Sequence, residues 1–145
     1  MRVVVQRVKE AACIIDNKLV SKINKGYLLL VGFTHTDNEE NINKMAKKIA
    51  NLRIFEDDKN KMNLNVSTVS GEILSISQFT LYANLNDGNR PSFIESMNPV
   101  VAQKLYDKFN QALRSYNIIV QEGVFGASMQ ISLINDGPVT INIEF

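Results

Sequence analysis

Tyr27-Leu28-Leu29-Leu30-Val31-Gly32-Phe33 is an unbroken apolar run. A run with no polar alternate suits a central strand covered on both faces, so the rest of the chain has to supply those covers. Strand-like segments lie on both sides of it. Residues 2–8 are rich in Val and 11–15 continue them, which predicts one long or bent strand. Asp16-Asn17-Lys18 then turns the chain, 19–23 returns as a hairpin partner, and Gly26 punctuates before the apolar run.

The period changes over residues 38–52, where Ile42, Met45, Ala46, Ile49 and Leu52 share one face and Lys44, Lys47 and Lys48 lie off it. That is an amphipathic helix, and Asp37 followed by Glu40 reads as a capping-box variant at its start. Its basic face suits either phosphate or plain solvation. A second helix starts at Asn98 (N-cap) and Pro99 (first position) and runs to about residue 116, with Val101, Leu105, Phe109, Ala112 and Leu113 as a packing stripe. Further strands are expected at 53–55, 72–81, 118–121, 129–134 and 141–145, with loose alternation at 62–69 and polar loops at 84–91 and 123–127. Many strands and two helices in 145 residues predict a single α+β domain over 1–145, built on a strongly curved, mostly antiparallel, barrel-like sheet.

Composition excludes several function classes. With one cysteine (Cys13) and one histidine (His35), neither a disulfide framework nor a four-ligand zinc site can form, and no cofactor or metal is expected. The acidic run Glu56-Asp57-Asp58, followed by Lys59-Asn60-Lys61, reads as a solvated turn. A formal net charge of +1 provides no global pull on nucleic acid, so any RNA contact must be local. No apolar run approaches the roughly 20 residues of a membrane span. A strand pattern that begins at once leaves no room for a signal peptide, and the expected location is cytosolic.

Two stretches carry the chemistry. Around one Phe, Ser77-Gln78-Phe79-Thr80 places small hydroxyls and an amide at a strand end, suited to displaying backbone N–H groups. Asn135-Asp136-Gly137-Pro138-Val139-Thr140 contains an X-Pro bond that its surroundings can hold cis, turning consecutive carbonyls to one side. The same residues also make an ordinary hairpin turn, and both readings stand on this stretch alone. There is no Gly-x-Ser-x-Gly elbow, and Cys13 lies in an apolar strand. A hydrolase built this way has to rely on positioned N–H groups and on a neighbouring substrate hydroxyl, which fits a reactive aminoacyl ester.

The pair of stretches, together with Gln6-Arg7-Val8, Arg53-Ile54-Phe55, Lys61-Met62-Asn63-Leu64 and Arg90-Pro91-Ser92-Phe93 in that order, resembles the D-aminoacyl-tRNA deacylase family over nearly the whole chain. The resemblance implies a homodimer that acts on the aminoacylated 3' end of tRNA. Each interface site would combine Ser77, Gln78, Phe79 and Thr80 of one subunit with Gly137 and Pro138 of the other. In the family the Gly-Pro bond is cis and its carbonyls bar L-aminoacyl groups, while D-aminoacyl groups and glycine pass. The resemblance also implies that Arg7 holds the Gly-Pro loop, although Arg7 suits a simple carboxylate pair as well. Phe125 and Met129 match positions near the terminal adenine, and core packing accounts for them equally. Thr80 reads as orienting, with the terminal 2'-hydroxyl of the tRNA assisting the chemistry. A relative that tolerates L-alanyl esters has Pro-Gln-Ala-Thr where this chain has Ser77 to Thr80, so the Ser and Phe here favour the D-specific branch. The rival reading is a noncatalytic dimeric module for RNA or protein, with both motifs serving only the interface.

Overall fold

In the computed structural model, which describes residues 1–86 and 88–145, the apolar run becomes β3 (Gly26–Gly32). Asp87, inside the expected 84–91 loop, lies outside the described residues. Before β3 come β1 (Arg2–Ile15) and β2 (Lys18–Ile23). After it come α1 (Glu39–Ala50), β4 (Phe55–Glu56), β5 (Met62–Leu64), β6 (Glu72–Ser77), α2 (Pro99–Arg114), β7 (Val120–Glu122) and β8 (Gln130–Glu144). The main sheet runs β2-β1-β3-β6-β7, with β8 on the other edge of β1, and β4-β5 form a separate ribbon.

Why β3 is apolar throughout follows from its neighbours. Successive strand side chains point to opposite faces. Tyr27, Leu29 and Val31 enter a core shared with both helices, whereas Leu28 enters a second core with Val8, Cys13, Ile23, Leu74 and Ile76. On the first side Ile42, Met45 and Ile49 of α1 meet Tyr106, Phe109 and Leu113 of α2, all buried. Each fully buried side chain of this size contributes about 1.5–3 kcal/mol.

The sheet bends because β1 changes partners along one edge. Arg2 to Val8 pair with β3 and Ala11 to Ile15 with β2. Because β2 also touches β6 and β7, the sheet curls nearly closed. It is mixed rather than mostly antiparallel, since β3–β6 and β6–β7 are parallel ladders. Parallel neighbours need a long crossover, and α1 and α2 sit in the two connections concerned.

Local chemistry differs from expectation at several places. α1 is capped by Asn38, whose side chain accepts from the N–H groups of Glu40 and Asn41, while the Asn41 side chain accepts from the Asn38 N–H. Asp37 instead accepts from the Met1 ammonium and the Thr34 N–H. On α2 the buried stripe is Ala102, Tyr106, Phe109, Asn110 and Leu113, with Val101 facing outward. Of the acidic run, Glu56 ends β4 and only the residues after it turn, the Asp57 carboxylate accepting from the N–H groups of Lys59 and Lys61. These bonds, the one from Lys61 foremost, hold its acid strength above that of a free carboxyl.

Candidate active site

The expected strand at 72–81 stops at Ser77, and the chain tightens into a single 3-10 turn, Phe79–Tyr82. The break is fixed from outside. The Gln78 N–H donates to Val31 O at 2.7 Å, which extends the β3 ladder by one bond, and the Leu81 N–H then returns to Gln78 O. Phe79 and Thr80 begin the turn, and among the described residues neither backbone N–H has an acceptor. The Gln78 side-chain amide donates to the Thr80 hydroxyl. Phe79, 58 % exposed, meets the Phe93 ring edge-on at 4.9 Å, and Ser96 Oγ donates to its carbonyl at 3.0 Å.

These residues border a cavity of ≈ 590 Å³ between the ends of β3 and β6, the 123–127 loop and the start of α2. Ser77, Gln78, Phe79, Phe125 and Met129 all line it, whereas Thr80 lies beyond its wall. Among the lining residues none is ionisable. Cys13 lies elsewhere, and burial pushes its thiol further from ionisation. The His35 ring nitrogen is engaged with Ile94 O at 2.7 Å.

Sequence reasoning assigned α2 to packing alone. Its first turn nevertheless walls the cavity through Asn98, Pro99 and Ala102, with Phe93, Ser96 and Met97 leading into it. The Asn98-Pro99 helix start was the available signal, because a capped N-terminus directs backbone dipoles toward whatever lies ahead of it.

The second motif is built differently. The expected strands at 129–134 and 141–145 are one strand, β8, paired with β1 along its length. The register jumps from Val8↔Asn135 to Gln6↔Thr140, so residues 136–139 oppose Arg7 alone and are thrown out of the ladder. The Gly137-Pro138 bond is cis, Gly137 has φ +130°, and both residues are exposed.

Arg7 is only 4 % exposed and lies beneath this excursion. Its Nε donates to Asp136 O at 2.9 Å, its Nη1 to Ile54 O at 2.6 Å, and the Asp136 and Glu56 carboxylates stand 3.5 and 3.7 Å from the guanidinium. A planar fork of donors suits this divergent set of acceptors, which a lysine ammonium cannot reproduce. Within one chain the structure does not bring Gly137, Pro138 or Arg7 to the cavity.

Comparison with known proteins covers nearly the whole chain. The family model described as D-Tyr-tRNA(Tyr) deacylase matches residues 4–144. The chain is 54 % identical over 144 residues to a D-aminoacyl-tRNA deacylase of an Exiguobacterium species, covering 99 % of this chain and 98 % of the relative. Identity is also 54 % to the D-aminoacyl-tRNA deacylase of Staphylococcus aureus, covering 99 % and 95 %. Among solved structures, that of the c-Myc DNA Unwinding Element Binding Protein superposes with a TM-score of 0.94 at 38 % identity, covering 100 % of this chain and 99 % of that one.

Proposed function

The chain belongs to the D-Tyr-tRNA(Tyr) deacylase family, and on that premise we propose that the cavity at the end of β6 receives the aminoacylated 3' end of a D-aminoacyl-tRNA and promotes hydrolysis of its ester. One observation carries this reading: a cavity walled by Phe, Met and amide side chains, with no ionisable group in its lining, beside the N–H groups of Phe79 and Thr80, which have no acceptor among the described residues. Such a site stabilises charge developing on the ester oxygen without supplying a base. Water or hydroxide is then the nucleophile that attacks the acyl carbon, assisted by the vicinal 2'-hydroxyl of the terminal ribose, and the ribose 3'-oxygen leaves with a proton. Gln78 orients the ester, itself held by the bond its amide donates to the Thr80 hydroxyl, and Phe125 and Met129 offer stacking and thioether contact to adenine.

Chirality is sorted by backbone. Gly137 and Pro138 are exposed on β8, away from the cavity of their own chain, and the free edge of β8 has no strand partner among the described residues. A second copy is therefore the source of the filter, which makes the working unit a homodimer with composite sites. Gly137 and Pro138 carbonyls from the partner subunit then occupy the space an L side chain needs, while Arg7 holds them in place. D side chains point away and glycine has none, so both classes pass and mischarged glycyl-tRNA is also cleared.

The test is deacylation of matched D-tyrosyl- and L-tyrosyl-tRNA by purified protein with EDTA present throughout. Rapid loss of the D ester alone is expected. Equal loss of both keeps a hydrolase and discards the filter. A noncatalytic binding module, the reading that the nucleic-acid-binding name of the solved relative favours, binds charged and uncharged tRNA alike and leaves both esters intact.

A pH series separates the chemistry further. With no ionisable group in the cavity wall, kcat is expected to climb with pH across roughly pH 6 to 8 without a bell. A plateau governed by a pKa near that of a free histidine, about 6.5, would instead put a protein base in the reaction.

A further inference from the structure

We infer that Tyr106 is a positioning residue that clamps the 123–127 loop to the exit of β6 and so sets one wall of the cavity. Tyr106 lies on α2 one turn after Ala102, which itself lines the cavity. Its hydroxyl donates to Ser75 O at 2.7 Å, and the same carbonyl accepts the Gly123 N–H at 3.0 Å. Both acceptor directions of one carbonyl are thereby used, one by α2 and one by the residue at which the chain leaves β7 for the loop. Two residues beyond Ser75, β6 delivers Ser77 and then Gln78 to the cavity.

The ring acts on the loop as well. Tyr106 packs against Phe125 with centroids 5.9 Å apart, and Phe125 is part of the wall. Gly123 lets the start of the loop lie close against the cavity side chains, since a Cβ there would stand 2.5 Å from Met129 Sδ and 2.9 Å from Ile76 Cδ1. One side chain thus ties α2 to two further walls, β6 and the loop.

Polarity at this point is unusual for a helix–sheet core. Ser75, Tyr106 and Asn110 are all buried, and among the described residues the Ser75 hydroxyl and the Asn110 amide make no hydrogen bond of good geometry. Buried polar groups cost stability, so an apolar set would serve packing at least as well, and the Tyr106 bond is what this arrangement secures. Burial raises the Tyr106 hydroxyl to about 12, so it stays a proton donor at any working pH.

Tyr106→Phe removes only the hydroxyl, and Ser75 O keeps its bond from Gly123. Two readouts decide the inference. Amide exchange at residues 123–127 is expected to quicken by about three- to tenfold, as loss of a single bond permits, with β1 and β8 unchanged. KM for D-tyrosyl-tRNA is expected to rise about fivefold with kcat within about twofold, the pattern of a binding wall displaced before the reaction. The kinetic half rests on the cavity receiving the aminoacylated end. If wild-type protein leaves the D ester intact, that reading fails, while the exchange data still decide the clamp. Unchanged exchange at 123–127, or exchange quickened throughout the chain, overturns the clamp. Locally quickened exchange with KM unmoved, or with kcat alone reduced, overturns its role in setting the substrate wall.

Discussion

Gly137→Ala is expected to lower kcat/KM for D-tyrosyl-tRNA by about a hundredfold and to narrow the D-over-L preference by at least about tenfold, because displacement on the order of 1 Å at a positioned group carries losses of this size. Gly137 sits at φ +130°, which side-chain-bearing residues rarely adopt. An added Cβ would stand 2.8 Å from Val139 Cγ2 and 3.1 Å from both Arg7 Nη2 and Val139 N. Relief by moving Val139 drags the excursion along β8, and relief by moving Arg7 breaks its bonds to Asp136 O and Ile54 O. Either route displaces the carbonyls that the proposed filter uses. The substitution lies on the exposed side of the sheet, so the fold survives with a loss of about 1–3 kcal/mol for the strained backbone. Single-turnover assays on matched D and L esters measure the effect. A folded variant that keeps both rate and preference removes residues 136–139 from the specificity mechanism.

Gly26→Ala is the substitution with the largest expected effect on stability. Gly26 opens the parallel ladder between β3 and β6, opposite Glu72. A Cβ would fall 1.8 Å from Glu72 O and 2.7 Å from Glu72 C and N, all backbone atoms. A flexible side chain can swing away from such a clash, but a strand held on both sides cannot. The ladder must part at its first pair, where the Glu72 N–H also donates to Lys25 O at 3.0 Å. The expected loss exceeds about 4 kcal/mol, the range reserved for broken backbone or core geometry. For a chain of this length that lowers Tm by about 10 °C or more, read by calorimetry or circular dichroism. A fall of only a few degrees would mean that β3 and β6 separate more readily than their packing indicates.

Burial was legible wherever one residue's environment repeats with the period of its element. The face of α1 with Ile42, Met45, Ala46 and Ile49 is buried as its spacing predicts, and the 27–33 run is the covered central strand. Partner identity was less legible. Parallel and antiparallel ladders use the same alternation, so β3–β6 and β6–β7 gave no sign in the residues themselves beyond the helices between them. Capping failed for a similar reason. Asp37 has the chemistry of a cap, but a competing bond to the Met1 ammonium, 36 residues away, draws it off and leaves the role to Asn38. On α2, Val101 and Ala102 both fit an apolar stripe of that period, and the direction from which the sheet approached decided between them.

By itself the sequence determined the two helices, most of the strands and their order, an α+β domain around one covered strand, and a turn-prone Gly-Pro motif between two strand patterns. Those follow from short-range terms: side-chain periodicity, turn residues and the restricted backbone of Gly and Pro. Tertiary structure alone decided what the motifs face. It set Arg7 beneath residues 136–139 by a bond spanning 129 positions, ended β6 at Ser77 by drawing the Gln78 N–H to Val31, and turned the start of α2 into a cavity wall. These are contacts between distant segments, and local pattern records that a side chain is buried or exposed without recording which neighbour it meets.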